Sequence, residues 1–244
     1  MKYLTAIVLL LLYFTQNAQA ELIYDADRDR QIPLELIFPP GQQCSPETKC
    51  AVALLSAGYG VSHLQYGFIA EVFAQHGYLV VAIGHELPTD PPLAVSGNLY
   101  EARSENWRRG AQTLDVVVKT LGNTLAGYDF NHITLIGHSN GGDISAWLAN
   151  QGKTYISGVI TLDHRRVPLP RDNKLQILSI RASDFPADNG VLPSAAEQQQ
   201  YGSCVVTIAQ ARHNDMTDDG PGWLKDKIQQ LLQQHLAGQP CKAA

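Results

Sequence analysis

The stretch Ile133-Thr134-Leu135-Ile136-Gly137-His138-Ser139-Asn140-Gly141 constrains this chain more than any other. An apolar, β-branched run leads straight into a G-x-S-x-G turn, and a run with helical character (141–149) leads out. A serine on so sharp a strand-to-helix turn needs strained backbone angles, with glycine on both sides to avoid clashes. The turn lifts the hydroxyl off the sheet edge, where a base can reach it. It also puts the following N–H at a helix N-terminus, aimed at any developing negative charge. Ser139 is therefore a candidate nucleophile and the Asn140 N–H a candidate oxyanion donor. The competing reading, a glycine-rich turn with an ordinary serine, does not account for the strand before and the helix after.

The rest of the chain repeats this alternation. Residues 22–38 read as two strands around a polar turn. Apolar runs at 51–56, 78–83, 133–136, 156–162, 175–180 and 205–209 read as buried strands. Between and after them, 64–76, 106–125, 141–149 and 223–236 have helical spacing. Strands that are apolar throughout and alternate with helices imply a mostly parallel central sheet covered on both faces, an α/β architecture. No repeat or linker divides residues 21–244, which read as a single domain. Apolar residues make up 45% and charged residues 17% of the chain, which excludes disorder as its main state. The formal net charge is −5 with no Lys/Arg cluster, which argues against nucleic acid or anionic lipid as the main partner.

Residues 1–20 read as a signal peptide: Lys2, a nearly unbroken apolar run from Leu4 to Phe14, then Ala18-Gln19-Ala20 as a cleavage site. The run is too short to span a bilayer, and no later segment is apolar enough to do so. A periplasmic or secreted protein is the expectation. Four cysteines behind such a leader, Cys44, Cys50, Cys204 and Cys241, imply two disulfides. Of the three pairings, Cys44–Cys50 with Cys204–Cys241 is preferred. No C-x-x-C spacing suggests a metal site.

A serine nucleophile needs a base, an acid and a second oxyanion donor. His213, in Ala211-Arg212-His213-Asn214-Asp215 just past the last strand, fits the chain order Ser, acid, His. His63, His76, His85 and His132 precede Ser139, His138 belongs to the turn itself, and His235 lies in the closing helix. The acid is open among three aspartates. Asp184, after strand 175–180, is preferred. Asp163, ending strand 156–162, is the alternative, and Asp188 is a third possibility. Ser56-Ala57-Gly58-Tyr59-Gly60 follows strand 51–56, and the Tyr59 N–H is the expected partner of the Asn140 N–H.

With SAGYG at 56–60, YLVVAIGHE at 78–86 and GHSNGG at 137–142, the chain resembles the α/β-hydrolase superfamily over residues 22–236. Within it, the chain looks like the branch of dienelactone hydrolases, platelet-activating-factor acetylhydrolases and cutinases. The resemblance implies Ser139 as nucleophile, His213 as base and an Asp as orienter. The acetylhydrolase-like members carry that acid where Asp163 stands, the cutinase-like members nearer Asp184. Two departures stand out. Ala57 occupies a position where relatives often carry His, and the nucleophile is Ser where dienelactone hydrolases use Cys.

The expected activity is hydrolysis of small-molecule carboxylic esters through an acyl-enzyme, with no cofactor, no metal and no obligate protein partner. The alternatives are an amidase or peptidase using the same triad, or a non-catalytic binding protein on this fold. Residues 164–174 leave no room for a lid domain. The longest irregular insertion, 85–105, is expected to rim the pocket, with Tyr59, Tyr100 and Trp107 lining an acyl site.

Overall fold

The apolar runs assemble side by side in a computed structural model that describes residues 18–241. The order of elements is β1 (Ala18–Asp25), β2 (Arg30–Ile37), β3 (Cys50–Ser56), α1 (Gly67–Gln75), β4 (Tyr78–Ile83), α2 (Leu99–Thr124), β5 (Tyr128–His138) and α3 (Asn140–Ala149). Then follow β6 (Ile156–Leu162), β7 (Gln176–Arg181), α4 (Ala195–Tyr201), β8 (Cys204–Thr207), a 3-10 turn at His213–Asp215, and α5 (Gly222–Leu236). The eight strands form one sheet in the order β1-β2-β4-β3-β5-β6-β7-β8. The β1–β2 and β2–β4 pairs are antiparallel, and every pair from β4 to β8 is parallel.

Alternate residues of the central strands supply two cores. Val52, Leu54, Leu79, Val81, Ile133 and Leu135 face α2 and α3, meeting Leu114, Val117, Ile144 and Leu148. Ala53, Leu55, Val80, Ala82, Ile136 and Ile160 face the other way, onto Ile69 and Phe73 of α1 and Leu224, Ile228 and Leu232 of α5. Burial on both faces is why these strands read as continuous apolar runs.

Strand and helix limits agree with the sequence reading to within a few residues, with three exceptions: β5 begins at Tyr128, five residues before the expected start, and two helices differ. Helix α2 begins at Leu99, seven residues before the expected start, so the irregular insertion after β4 is shorter than expected and both Tyr100 and Trp107 lie on a helix. Helix α4 was not expected; Ser194 starts it with a capping box, accepting from the Glu197 N–H while the Glu197 carboxylate accepts from the Ser194 N–H. The β6–β7 connection carries no helix; Val167 and Leu169 fill the core there instead.

Both preferred disulfides, Cys44–Cys50 and Cys204–Cys241, are formed. Among the described residues no helix is long and apolar enough to cross a membrane. Of the expected leader, residues 1–17 lie outside the described residues. Ala18–Ala20 form the first rungs of β1, and a chain beginning at Glu21 retains the pairing of Glu21–Asp25 with Arg30–Leu34.

Candidate active site

Ser139 stands at the junction of β5 and α3 with φ 51° and ψ −120°, a conformation that L-residues seldom adopt. The flanking glycines explain how the turn is tolerated. A Cβ on Gly137 would lie 2.2 Å from the Gly141 carbonyl oxygen, and one on Gly141 would lie 2.2 Å from that of Ser56. The turn is pinned to the sheet by the Ser139 N–H, which donates to the Leu162 carbonyl at 2.8 Å.

His213 Nε2 lies 2.9 Å from Ser139 Oγ, and His213 Nδ1 lies 2.6 Å from Asp163 Oδ2. The preference for Asp184 is thereby corrected: Asp163 occupies the position behind the imidazole. Asp163 directly follows β6, the strand next to β5, and adopts φ 52°, which turns its carboxylate back along the sheet edge. Asp tolerates this left-handed backbone better than most residues. Asp184 lies three residues past β7, and its Oδ1 accepts the backbone N–H of His213 at 2.8 Å. It holds the loop rather than the ring. Asp188 is farther out and pairs with Arg165 at 3.2 Å.

Asp163 is fully buried, and its two oxygens divide their partners. Oδ2 faces the imidazole, while Oδ1 accepts from the Ala182 N–H at 3.0 Å and pairs with Arg181 at 2.9 Å. Arg181, itself buried, also donates to the carbonyls of His164 and Phe185. A buried carboxylate needs such compensation, because leaving it unpaired costs several kcal/mol, on the order of 3–5. Sequence reasoning missed Arg181, whose signal was an arginine at the end of the strand next to the one that Asp163 follows.

The His213 loop is held from several sides. Its carbonyl accepts from His138 Nε2 at 3.1 Å. His138 is buried, and burial, more than the nearby His213, pushes its imidazole down to about 3, so it is neutral at pH 7. A carbonyl only accepts, so Nε2 carries the proton and Nδ1 accepts from the Tyr66 hydroxyl at 2.9 Å. That hydroxyl in turn accepts from the Gly58 N–H at 3.0 Å. One hydrogen-bonded chain thus ties the loop after β3 to the loop carrying His213. The Phe185 ring covers the His213 ring at a centroid distance of 4.0 Å.

The two expected oxyanion donors lie on adjoining segments. A Cβ on Gly58 would lie 3.4 Å from Ser139 Cβ, so the 57–60 loop runs directly against the nucleophile turn. Asn140 is the first residue of α3, and its N–H has no acceptor within the helix. Among the described residues neither this N–H nor that of Tyr59 bonds to protein. The Asn140 side chain is locked. It accepts from Trp107 Nε1 at 2.9 Å and donates to Asn106 at 2.8 Å, and Asn106 donates to Glu86 at 2.9 Å. Trp107 is fully buried, which corrects its expected place on the wall of an acyl pocket: it braces Asn140 from behind. Tyr100 is partly exposed and packs against Trp107 and Trp147. The Tyr59 side chain reaches across to the insertion, where its hydroxyl accepts from the Leu93 N–H at 3.0 Å.

No family model and no curated protein sequence matches the chain. Solved structures do. Apo esterase 2 of Thermogutta terrifontis superposes with a TM-score of 0.64 at 14% identity, covering 91% of this chain and 94% of that one. The dienelactone hydrolase-like promiscuous phosphotriesterase P91, from metagenomic libraries, gives 0.63 at 15%, covering 91% and 98%. A ferulic acid esterase from Streptomyces cinnamoneus gives 0.65 at 15%, covering 91% and 90%. With the sheet order, the helices on both faces and the strained serine turn between β5 and α3, these likenesses identify the chain as having the α/β-hydrolase fold.

Proposed function

We propose that this protein is a serine hydrolase acting on carboxylic esters, exported to an oxidising compartment. The observation that carries the reading is the continuous path Ser139 Oγ–His213 Nε2 (2.9 Å) and His213 Nδ1–Asp163 Oδ2 (2.6 Å). In the mechanism, Ser139 attacks the ester carbonyl as His213 takes its proton. Asp163 holds the imidazole in the tautomer that accepts at Nε2 and stabilises the imidazolium. The Tyr59 and Asn140 N–H groups receive the oxyanion of the tetrahedral intermediate. His213 then protonates the departing alkoxide, and water attacks the acyl-enzyme by the same steps in reverse. The fold neighbours include two proteins called esterases, and Thermogutta terrifontis esterase 2 is also known phosphoramylated by tabun. These names favour ester chemistry over amide hydrolysis. The two disulfides and the leader-like N-terminus support export.

The test is labelling with a fluorophosphonate alongside a short-chain nitrophenyl ester assay. Label on Ser139 with ester turnover is the expected result. Absence of both in the folded protein overturns the proposal and favours the binding-protein alternative.

A further inference from the structure

Helices α2 and α3 pack closely because Gly110 of α2 admits Ile144 of α3. A Cβ on that glycine would lie 2.6 Å from Ile144 Cδ1. One turn earlier on α2, Asn106 and Trp107 meet Asn140, and all three are buried. Burying two amides is costly unless both are bonded, and an apolar residue at 140 would avoid that cost. The bonds these groups make therefore have to be explained by more than stability.

The bonds run in one direction only. The Trp107 indole N–H can only donate, so Asn140 Oδ1 faces it, at 2.9 Å. Asn140 Nδ2 then donates to Asn106 Oδ1 at 2.8 Å. That leaves Asn106 Nδ2 to donate to Glu86 Oε1 at 2.9 Å. An ionised carboxylate only accepts, so Glu86 ends the chain of bonds. Turning either amide over would set two donors against each other.

Glu86 is itself anchored, three residues past β4. Arg30 donates to the preceding carbonyl, that of His85, and holds Asp90 with bonds of 2.6 and 2.7 Å. Asp90 accepts from the following N–H, that of Leu87, at 2.7 Å. Arg109 donates to the other carboxylate oxygen, Glu86 Oε2, at 3.3 Å. The charges around the insertion after β4 thus hold Glu86 Oε1 where Asn106 needs it.

We propose that Glu86 and Asn106 are positioning residues for the oxyanion: through the Asn140 side chain they fix where the Asn140 backbone N–H points. That N–H is the first of α3 and follows directly on the strained Ser139 turn, so little else in the helix restrains it. Its placement matters most where charge develops, in the transition state, and a displacement of about 1 Å can cost on the order of 10² in rate. The inference rests on the hydrolase reading and deepens it.

The test exchanges amide and carboxylate. Asn106→Asp sets two carboxylates against each other at the Glu86 contact. Adding Glu86→Gln restores every bond with the roles reversed: the glutamine amide donates to the aspartate, which still accepts from Asn140. On a short-chain nitrophenyl ester, Asn106→Asp should lose on the order of 10² in kcat with KM within about threefold, because the bond is made only to the transition state. The double variant should recover to within about tenfold of wild type. If Asn106→Asp does not fold, Glu86→Ala serves, at a side chain 27% exposed, with an expected loss of about tenfold in kcat. Melting temperatures of the same proteins separate positioning from packing. A lowered melting temperature with wild-type kcat per folded molecule in Asn106→Asp, or in Glu86→Ala where that serves, would overturn the proposal. So would a kcat loss in Asn106→Asp that the double variant does not relieve. Either result, beside wild-type turnover, leaves the hydrolase reading standing. Wild-type protein that neither turns over ester nor takes a fluorophosphonate label would overturn both.

Discussion

The two sides of the active site are built by different means. On one side, Ser139 and Asp163 stand at the ends of adjacent central strands. Their backbone N–H groups bond to the carbonyls of Leu162 and Ile180, each at 2.8 Å, so the sheet itself sets their positions. On the other side, His213 belongs to a short 3-10 turn after β8, the edge strand of the sheet. It is held by Asp184 at its N–H, His138 at its carbonyl and Phe185 against its ring. Ser139 and Asp163, the proposed nucleophile and acid, are thus fixed by the ladder that folds the domain. His213, the proposed base, is fixed by a few side chains that can be removed singly. Chemistry and stability should therefore separate by position: changes at Ser139 and Asp163 should cost activity, and changes in the His213 supports should cost stability first.

The largest expected effect is at the nucleophile. Ser139→Ala, which keeps the Cβ and so the same strained turn, should fold with an unchanged melting temperature and should lose kcat by on the order of 10⁶. Activity within tenfold of wild type would remove Ser139 from the chemistry. Next comes Asp163→Asn, which keeps the shape but favours the wrong imidazole tautomer, at about 10⁴ in kcat. Its mirror is Asp184→Asn, which loosens one bond to the His213 backbone. That variant should lose about 1–3 kcal/mol of stability and keep kcat within about tenfold. Measuring kcat/KM and denaturant midpoints for both variants tests the comparison directly, and reversed outcomes would break it.

The disulfides probe the same contrast from a distance. Cys204–Cys241 closes a 37-residue separation that contains the whole His213 loop, whereas Cys44–Cys50 closes one of 6 residues ahead of β3. Cys241→Ser should cost about 2–4 kcal/mol, and Cys44→Ser less if chain entropy dominates. Equal midpoints for the two variants would argue that chain entropy does not govern these bridges.

The most gradual effect is in the pH dependence of stability. Burial pushes His85, His138 and His164 down from 6.5 to about 3 each. The unfolded chain protonates these groups first, so their contribution is complete above pH 6.5 and is lost as pH falls from there toward 3. Asp143, raised to about 6, acts in the opposite sense below that pH and offsets one of the three. The net expectation is a loss of about 1 kcal/mol per pH unit for each uncompensated histidine. Urea midpoints at pH 7, 6 and 5 measure it, and a flat profile would show that His138 does not serve as a neutral strut behind His213.

Much of this was legible along the chain because it is written in local pattern. The continuous apolar strands, the G-x-S-x-G turn between β5 and α3, and a histidine just past the last strand all depend on neighbours in sequence. The pairing of Cys44 with Cys50 and of Cys204 with Cys241 was also favoured by spacing. The choice between Asp163 and Asp184 was not legible. Both follow parallel strands at the same end of the sheet, and both bond His213, one at the ring and one at the backbone. Which does which depends on the left-handed turn at Asp163 and on the buried countercharge of Arg181, contacts between strands that sequence spacing does not encode. Trp107 shows the same limit. An aromatic next to the expected rim reads as a pocket wall, but its indole turns inward onto Asn140, a contact between α2 and α3 that periodicity does not specify. The sequence alone determined the sheet, the nucleophile turn and the histidine, because periodicity and backbone sterics act locally. Tertiary structure alone decided which aspartate meets the His213 ring and how Asn140 is braced, because each depends on which groups meet across elements distant in the chain.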